Sequence, residues 1–454
     1  MIFGHGRPCK QHERGRAGAP TVTSMHTTDS SPRQVYVLGA GIVGLATAWE
    51  LAQAGMQVTV VDRAAPGQGT SGANGAQLSY AYVQPLADPS IWLQLPHLLL
   101  AKDSPLSLRL RLDPWQWAWG LRFLAACRAS VSARTTARLL QLAAESRAAF
   151  DAFRAAAAVD CDFSATGKLV LYTSEAAFAA ARRQLALQQA MGTRQSAVSA
   201  SDCVAIEPAL AHYAPRVAGA IHTPGECAVD CHALCLALAE RLRQRGVQFV
   251  TGQAVERLQL RGGRIAGAQL ADGRVLQADA FVLALGTGTP ALLRPLGLGV
   301  AWQVPVYPLK GYSITAATLA QGDGAPRVSV TDAARKVVFA RLGQRLRVAG
   351  MAELADEDWS IAPARITALQ ATARDVFPQG GDYAQADAWA GLRPATPLGE
   401  PVIGRLSGAP GNLYLNTGHG ALGLTLAFGS AQRMARLIGQ RRPTSAAAPA
   451  ACSA

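Results

Sequence analysis

The pattern of apolar and polar residues near the start of the chain predicts a strand, a helix and a second strand. Four apolar, β-prone residues from Val35 to Leu38 are typical of a buried strand. An Ala- and Leu-rich segment that begins near Ile42 predicts a helix, and Val58–Val61 predicts another strand. This order predicts a βαβ unit at the start of an α/β fold.

Apolar strands and helical stretches continue to alternate along the rest of the chain. Short apolar runs interrupted by Gly262–Gly263 and Asp272–Gly273 predict hairpin turns, and therefore a small antiparallel meander before residue 277. Further strands are predicted near 167–173, 219–222, 247–250, 279–285, 304–313, 336–339 and 346–350. Helices are predicted over much of 131–192, over the cysteine-bearing segment from about Cys227 to Arg245, near 363–377 and from about 418 to 439.

A stretch from Pro85 to Arg128 is rich in Trp and Leu, with arginines between them. The pattern predicts an amphipathic helical region. Such a region can pack on the core or lie at a membrane interface, where Trp and Arg are both favourable. Both interpretations stay open, and core packing is slightly favoured.

The first predicted strand leads directly into the turn Gly39-x-Gly41-x-x-Gly44. In a βα turn of this kind the glycines allow a tight bend, a close approach of pyrophosphate and close packing of helix on strand. The helix N-terminus then offers free N–H groups to the phosphates. Asp62 ends the second strand 18 residues after Gly44, near the spacing of a ribose-binding carboxylate. The turn predicts a dinucleotide site; the alternative is an Ala- and Gly-rich turn without a ligand.

Three later segments suit the remainder of a long, flat ligand. The loop after Arg63 is made of small residues up to Gly75 and leaves the strand that carries the ribose acid. Gly286 ends an apolar strand, where close backbone approach is again allowed. Glycines also surround His419 at the start of the last helix, whose N-terminus can hold the negative charge of a reduced flavin. His419 is equally well explained as a helix-cap residue.

Composition excludes several classes of function. The formal net charge is +13, but the basic residues are scattered, which disfavours nucleic-acid binding and leaves an anionic membrane surface as a partner. Eight cysteines without paired spacing indicate a reduced, cytoplasmic setting. Cys227, Cys231 and Cys235 are predicted to line one buried helix face, so no metal site is predicted. No segment has the length of a membrane span, and the N-terminal residues lack the apolar core of a signal peptide.

Five motifs identify a known family. They read VLGAGIVGLATAWELAQAG from Val37, TSGANGAQLSYAY from Thr70, VYPLKGYS from Val306, GLRPATPLGEPVIGR from Gly391 and LNTGHGALG from Leu415. With these motifs the chain resembles the FAD-dependent D-amino acid oxidase/glycine oxidase superfamily, and within it the small subunits of bacterial D-amino acid dehydrogenases. The resemblance covers about residues 34 to 440.

The resemblance implies an α/β fold in which a Rossmann-like FAD-binding domain of the glutathione-reductase type accompanies a mixed-sheet α+β substrate domain. The FAD-binding domain is expected to be discontinuous, over 34–88, 200–300 and 388–440. The substrate domain is expected over 89–199 and 301–387. Residues 1–33 and 441–454 are expected to be disordered.

The implied activity is the oxidation of D-amino acids, D-alanine above all, to a 2-oxo acid and ammonia with non-covalent FAD. Electrons would pass to a quinone or another acceptor, from a cytoplasmic enzyme that can contact the inner face of the plasma membrane. Two alternatives stay open. One is a dehydrogenase or oxidase of the D-hydroxyproline, glycine or sarcosine type, and the other is a non-catalytic FAD-binding subunit of a larger complex.

The resemblance also implies residue roles. Arg393 matches the arginine that pairs with the substrate carboxylate, a role that suits a planar guanidinium. Tyr307 or Tyr312 is expected to complete the pocket, and His419 to lie near the flavin. The expected FAD contacts are Gly39, Ala40, Gly41, Ile42, Val43, Gly44, Asp62, Arg63, Ser71, Asn74, Gly75, Val255, Gly286, Gly391, Gly418, His419, Gly420, Gly423 and Thr425.

Overall fold

The computed structural model describes residues 34–92, 106–108, 111–190, 192–319, 324–354 and 356–440. The predicted disordered ends, 1–33 and 441–454, lie outside the described residues.

Strands and helices alternate through the described part of the chain. The strands are β1 (Gln34–Leu38), β2 (Gln57–Asp62), β3 (Gln77–Leu78), β4 (Leu106–Leu108), β5 (Lys168–Tyr172), β6 (Ser196–Val198), β7 (Gly219–Thr223), β8 (Cys227–Ala228), β9 (Gln248–Thr251), β10 (Val255–Arg261), β11 (Arg264–Leu270), β12 (Val275–Leu276), β13 (Ala280–Leu283), β14 (Tyr307–Ala317), β15 (Ser329–Asp332), β16 (Val337–Leu342), β17 (Arg345–Leu354), β18 (Asp387–Ala395), β19 (Val402–Gly404) and β20 (Leu413–Thr417). The α-helices are α1 (Ile42–Gln53), α2 (Pro114–Ala126), α3 (Ala129–Ala157), α4 (Glu175–Ala190), α5 (Ala200–Ile206), α6 (Cys231–Gln244), α7 (Thr289–Leu293), α8 (Leu298–Ala301), α9 (Pro363–Val376) and α10 (Gly423–Gly439).

The first sheet has six strands in the order β19-β20-β13-β1-β2-β9. Its pairs are parallel except for β19 with β20. Both faces of β1 are buried, because Val35 and Val37 pack in one core cluster and Tyr36 and Leu38 in another. The predicted βαβ unit is thereby confirmed, with β13 placed on the other side of β1.

The predicted meander is also confirmed. Strands β10, β11 and β12 form a separate antiparallel sheet in sequence order. These three strands lie between β9 and β13 along the chain, so the small sheet is an insertion between two strands of the first sheet.

The second sheet is mixed, in the order β18-β14-β17-β16-β15-β5-β7-β6, with β4 added beside β17. Most pairs are antiparallel, and β5 with β15 and β4 with β17 are parallel. Helix α9 packs on one face around Leu369 and Phe377. The opposite face, through Thr331, Val338 and Trp389, lines the large cavity described below.

The division into two domains stays a prediction. Pro32–Gln440 forms one compact unit. Strands β7 and β18 hydrogen-bond within the second sheet, although both ranges were assigned to the FAD-binding domain. The chain therefore passes between the two sheets more often than the predicted domain boundaries imply.

One local prediction is wrong. Cys227 does not share a helix face with the other two cysteines, because it lies in β8 and helix α6 begins only at Cys231. The Asp230 side chain accepts the N–H groups of His232 and Ala233 and so caps α6. An Asp at the N-cap sets the start of the helix.

The Trp-rich stretch is divided between the core and the surface. In α2, Trp115 and Trp119 are buried, and their indole N–H groups donate to the carbonyls of Val306 and Ala395. Trp117, on the other side of the helix, is 50% exposed. Residues 93–105 lie outside the described ranges. In the part of the chain that the structure describes, no helix has the length and apolarity to cross a membrane.

Candidate active site

The glycine turn after β1 is closed by steric contacts that only glycine permits. Gly39 has φ +115°, and a Cβ atom there would lie 2.4 Å from the carbonyl oxygen of Ala284 in the strand β13 region. A Cβ on Gly44 would lie 1.9 Å from the carbonyl oxygen of Gly39. Helix α1 therefore packs directly on the turn. The first N–H of the helix, that of Ile42, donates to Ser71 Oγ at 3.1 Å.

Asp62 holds the same turn from the end of β2. Its Oδ2 accepts the N–H of Ala40 at 2.6 Å, and its Oδ1 accepts the N–H of Ala64 at 2.8 Å. A carboxylate has about four lone-pair directions, so both oxygens retain capacity for a ribose hydroxyl. The side chain lines the cavity and is thus compatible with the predicted ribose contact.

A single cavity of about 1250 Å³ runs from this turn to the second sheet. Among the predicted FAD contacts, every residue except Gly44 lines it. Those that line it are Gly39, Ala40, Gly41, Ile42, Val43, Asp62, Arg63, Ser71, Asn74, Gly75, Val255, Gly286, Gly391, Gly418, His419, Gly420, Gly423 and Thr425. Segments separated by more than 300 residues therefore share one site.

The small-residue loop after Arg63 is fixed by contacts with the second sheet. Thr70 Oγ1 donates to the carbonyl of Leu392 at 2.6 Å, and Ser313 Oγ donates to the carbonyl of Ala73 at 2.6 Å. Arg347 Nη1 donates to the carbonyl of Asn74 at 2.9 Å. These bonds hold the loop against the sheet, so its backbone forms a wall of the cavity.

The start of α10 leaves polar groups available to a ligand. Helix α10 follows directly on a short 3-10 turn, Gly420–Leu422, and its N-cap residue Leu422 makes no side-chain cap among the described contacts. Asn416, in β20, lines the cavity and is fully buried, and its Oδ1 has no hydrogen-bond partner among the described residues. A buried acceptor without a partner costs about 1–3 kcal/mol unless a ligand or water donates to it. The Asn416 acceptor and the N–H groups at the helix start fit a flavin, whose pyrimidine edge carries an N–H donor and carbonyl acceptors.

His419 is 2% exposed and bonded within the protein. Its Nε2 lies 3.1 Å from the Oγ of Ser430, which is in the middle of α10. Burial lowers the pKa of His419 to about 3, so the ring is neutral at physiological pH. The ring lines the cavity, and it also serves as a structural link between the helix start and the helix body.

Arg393 crosses the second sheet above Gly311. A Cβ atom on Gly311 would lie 2.2 Å from Arg393 Nη2, so the guanidinium occupies the space that a side chain there would fill. Nη1 donates to the carbonyl of Met351 at 2.9 Å. Met351 has φ +61° and lies in a bulge of β17, where two residues stand opposite Gly311.

The charge of Arg393 has no counter-ion in the described chain. No carboxylate among the described residues forms an ion pair with it, and burial lowers its pKa to about 10. The group is still cationic at neutral pH. A desolvated guanidinium that lines a cavity is an anion-binding group, and a planar carboxylate is its best partner.

The two candidate tyrosines use their hydroxyls within the protein. Tyr312 donates to Glu353 Oε2 at 2.7 Å and packs in the core under α9, while part of it borders the cavity. Tyr307 donates to Asp113 Oδ2 at 3.4 Å, its pKa is raised to about 12 by burial and by Asp113, and it does not line the cavity. The structure therefore brings Tyr312, and not Tyr307, to the edge of the site.

Three residues of the site were not singled out from the sequence. Gly311 lies inside the VYPLKGYS motif, where its contact with Arg393 depends on strand register. Met351 carries no sequence signal, because its left-handed backbone arises from a bulge. Lys168 is only 2% exposed and lines the cavity. In the sequence, the position of Lys168 at the start of an apolar strand was the signal that could have identified it.

Known proteins with similar sequences fit this site. The family model described as "FAD dependent oxidoreductase" (DAO) matches residues 34–437. The chain belongs to this DAO family. It is therefore an FAD-dependent oxidoreductase. The glycine turn, Asp62 and the uncapped start of α10 are the parts of the chain that suit the cofactor.

Two relatives carry the name "D-amino acid dehydrogenase 2". The protein from Ralstonia nicotianae is 48% identical over 427 residues, which are 92% of this chain and 99% of the relative. The protein from Pseudomonas aeruginosa is 47% identical over 415 residues, which are 91% of this chain and 96% of the relative.

Solved structures share the fold at low sequence identity. Glycine oxidase from Bacillus cereus is 20% identical with a TM-score of 0.67, and the match covers 89% of this chain and 94% of that one. L-proline dehydrogenase from P. horikoshii is 16% identical with a TM-score of 0.70, covering 90% and 93%. The predicted fold class, an FAD-binding Rossmann-like part with a mixed substrate-side sheet, is confirmed.

Proposed function

We propose that this chain oxidises D-amino acids to 2-oxo acids and ammonia, with D-alanine as the first substrate to test. The observation that supports this best is the cationic Arg393, which borders the FAD cavity without a carboxylate partner among the described residues. The names of the relatives at 47–48% identity point to the same substrate class.

The proposed role of Arg393 is to bind and orient the substrate carboxylate. Two parallel N–H···O bonds fix both position and angle, which presents the Cα–H bond to the cofactor. When bound, FAD would supply the acceptor for a hydride, which carries both electrons of the oxidation. Water then hydrolyses the imine product, which releases the 2-oxo acid and ammonia. The neutral His419 and Tyr312, whose hydroxyl is bonded to Glu353, are proposed to shape the site without moving a proton.

Anaerobic flavin reduction tests the activity. The purified yellow protein is mixed with D-alanine under nitrogen, and the loss of visible flavin absorbance is followed. Bleaching by D-alanine and not by L-alanine is expected, whereas no bleaching by any amino acid contradicts the proposal for the isolated chain. A panel with D-hydroxyproline, glycine and sarcosine distinguishes the alternative substrate classes.

The Arg393→Ala variant tests the carboxylate role. Loss of a bidentate charge-assisted contact should raise KM for D-alanine by a factor on the order of 100. Arg183→Ala, on the exposed side of α4, removes the same charge at the surface and should leave KM unchanged. A near-normal KM in Arg393→Ala with FAD still bound would refute the role.

We further propose that electrons pass to a membrane quinone and that α2 contacts the membrane surface. Trp117 and Leu121 lie one helical turn apart, and they are 50% and 67% exposed. Leu112, just before the helix, is fully exposed, and Arg128, just after the end of the helix, is also exposed. Exposed Trp and Leu beside arginines complement an anionic bilayer surface.

Vesicle sedimentation tests the membrane contact. The protein should sediment with vesicles that contain phosphatidylglycerol and not with pure phosphatidylcholine. Trp117→Ser with Leu121→Ser should abolish this and leave dye-linked turnover intact. Leu236→Ser, a 48% exposed residue on α6, is the matched control. Equal sedimentation of all variants would contradict the assignment of α2.

A further inference from the structure

The cavity contains a second buried cation, far along the sheet from Arg393. Lys168 opens β5, is 2% exposed and lines the cavity. Its Nζ donates to Ser79 Oγ at 2.9 Å and lies 4.5 Å from the ring centre of Tyr82. In the sheet order, β5 is separated from the Arg393 strand β18 by four strands. Lys168 is therefore at another end of the cavity from the proposed carboxylate site.

Hydrogen bonds connect Lys168 to the start of α10. Ser79, its partner, donates its backbone N–H to Thr425 Oγ1 at 3.2 Å. Thr425 is in the first turn of α10, whose N-terminus has no side-chain cap and borders the cavity. The lysine and the positive end of the helix dipole thus act on the same region.

The nearest carboxyl group, whose pKa is raised by burial, only partly offsets the lysine. Glu226 is buried, and its Oε2 and Oε1 accept the N–H groups of Tyr80 and Ala81, each at 2.7 Å. It is not within ion-pair distance of Lys168 among the described contacts. On the neighbouring strand β15, Thr331 Oγ1 is buried, lines the cavity and has no hydrogen-bond partner in the described chain. This end of the cavity is therefore polar, cationic and incompletely satisfied.

We propose that Lys168 sets the redox potential of the bound FAD by stabilising the negative charge that the flavin gains on reduction. The charge of a lysine held in a low-dielectric site acts over several ångströms. The cost of desolvating this lysine is already met when the protein folds, so it does not arise again when the flavin is reduced. Burial also lowers the pKa of Lys168 to about 8, which leaves it mainly cationic at neutral pH. The inference depends on FAD binding and not on which amino acid is oxidised.

The midpoint potential of the purified holoenzyme, measured by equilibration with a reference dye and without substrate, tests the proposal. In Lys168→Met the potential should become more negative. The ratio of oxidised to reduced flavin at a fixed potential should rise on the order of tenfold, which is about 30 mV for a two-electron couple. Lys168→Arg keeps the charge and should shift the ratio much less. Arg183→Met removes an exposed charge and should not shift it.

Glu226→Gln provides a test of opposite sign. Loss of the nearby negative charge should make the potential more positive, while one side-chain oxygen remains to accept an N–H. A purely structural role for the cluster predicts lower FAD affinity and unchanged potential in both variants. The proposal is overturned if Lys168→Met retains FAD at the unmodified potential. If Lys168→Met does not bind FAD, an unchanged or more negative potential in Glu226→Gln overturns it. Bleaching by D-alanine is scored separately, so a failed substrate assignment does not affect this result.

Discussion

A single methyl group on Gly311 should displace the Arg393 guanidinium and weaken the carboxylate site. The Cβ of Gly311→Ala would lie 2.2 Å from Arg393 Nη2, whereas non-bonded heavy atoms prefer about 3.5 Å or more. Gly311 pairs with Gly391 in the register of β14 and β18, so neither backbone can easily move aside. The guanidinium must therefore shift by roughly 1 Å.

That displacement is large on the scale of a hydrogen bond. A shift of this size breaks at least one of the two N–H···O bonds to a substrate carboxylate. A hydrogen bond to a charged group contributes about 1.5–3 kcal/mol, so kcat/KM should fall by about 10- to 150-fold. The contact of Nη1 with the Met351 carbonyl should be lost as well, which costs stability on the order of 1 kcal/mol.

Steady-state turnover of D-alanine with a dye acceptor measures the effect, and visible absorbance confirms that FAD is bound. Gly120→Ala is the control, because a Cβ there meets no atom within 4 Å. The reasoning also predicts coupling: in an Arg393→Ala background, Gly311→Ala should change kcat/KM less than about twofold, since the two changes act through one side chain. Unchanged kcat/KM in Gly311→Ala, or equal effects in both backgrounds, would refute it.

Three further predictions concern other parts of the site. Gly39→Ala should abolish FAD binding, because its Cβ would lie 2.4 Å from a backbone oxygen; Gly55→Ala has a similar positive φ and open space, and it should retain flavin absorbance. His419 has a folded pKa near 3 and an ordinary value of 6.5, so the unfolded chain binds more protons below pH 6.5 and stability falls with acidity. At pH 5 this amounts to about 2 kcal/mol, and His419→Gln should flatten the dependence of the unfolding free energy between pH 6.5 and 4; an equally steep curve contradicts it. Tyr312→Phe removes a donor to a buried carboxylate and should cost about 1–3 kcal/mol in chemical denaturation. Tyr307→Phe breaks a 3.4 Å contact and should cost less, and the reverse order would show that the hydroxyl assignments are wrong.

Local sequence signals predicted the parts of the fold that depend on neighbouring residues. The strand Val35–Leu38, the glycine turn and the meander were predictable, because apolar runs and turn glycines act within a few positions. The shared cavity was predictable only as far as motif resemblance placed Gly286 and the Gly418 region on one ligand. Cys227 was misplaced because four-residue spacing also fits a chain that changes from strand to helix at Asp230.

Strand period explains why the tyrosine assignment needed a structure. Tyr307 and Tyr312 are separated by five residues, and an odd separation places two side chains on opposite faces of a strand. Tyr312 lies on the face that packs against α9, and only part of it borders the cavity. Tyr307 lies on the opposite face, but it does not line the cavity. The sequence alone does not decide which face packs against α9, since that depends on pairing with β18 some 80 residues later. Register between strands so distant depends on the packing of the whole sheet.

The cost of placing Arg393 explains several features that look unfavourable in isolation. Burial disfavours its charge, Met351 adopts a left-handed backbone that non-glycine residues avoid, and β17 loses regular pairing at the bulge. The bulge turns the Met351 carbonyl towards Nη1, which fixes one side of the guanidinium and leaves Nη2 over Gly311. A free arginine would lose rotamer entropy on binding a carboxylate, and this one has already lost it on folding. The strain in β17 is therefore consistent with preorganisation of an anion site.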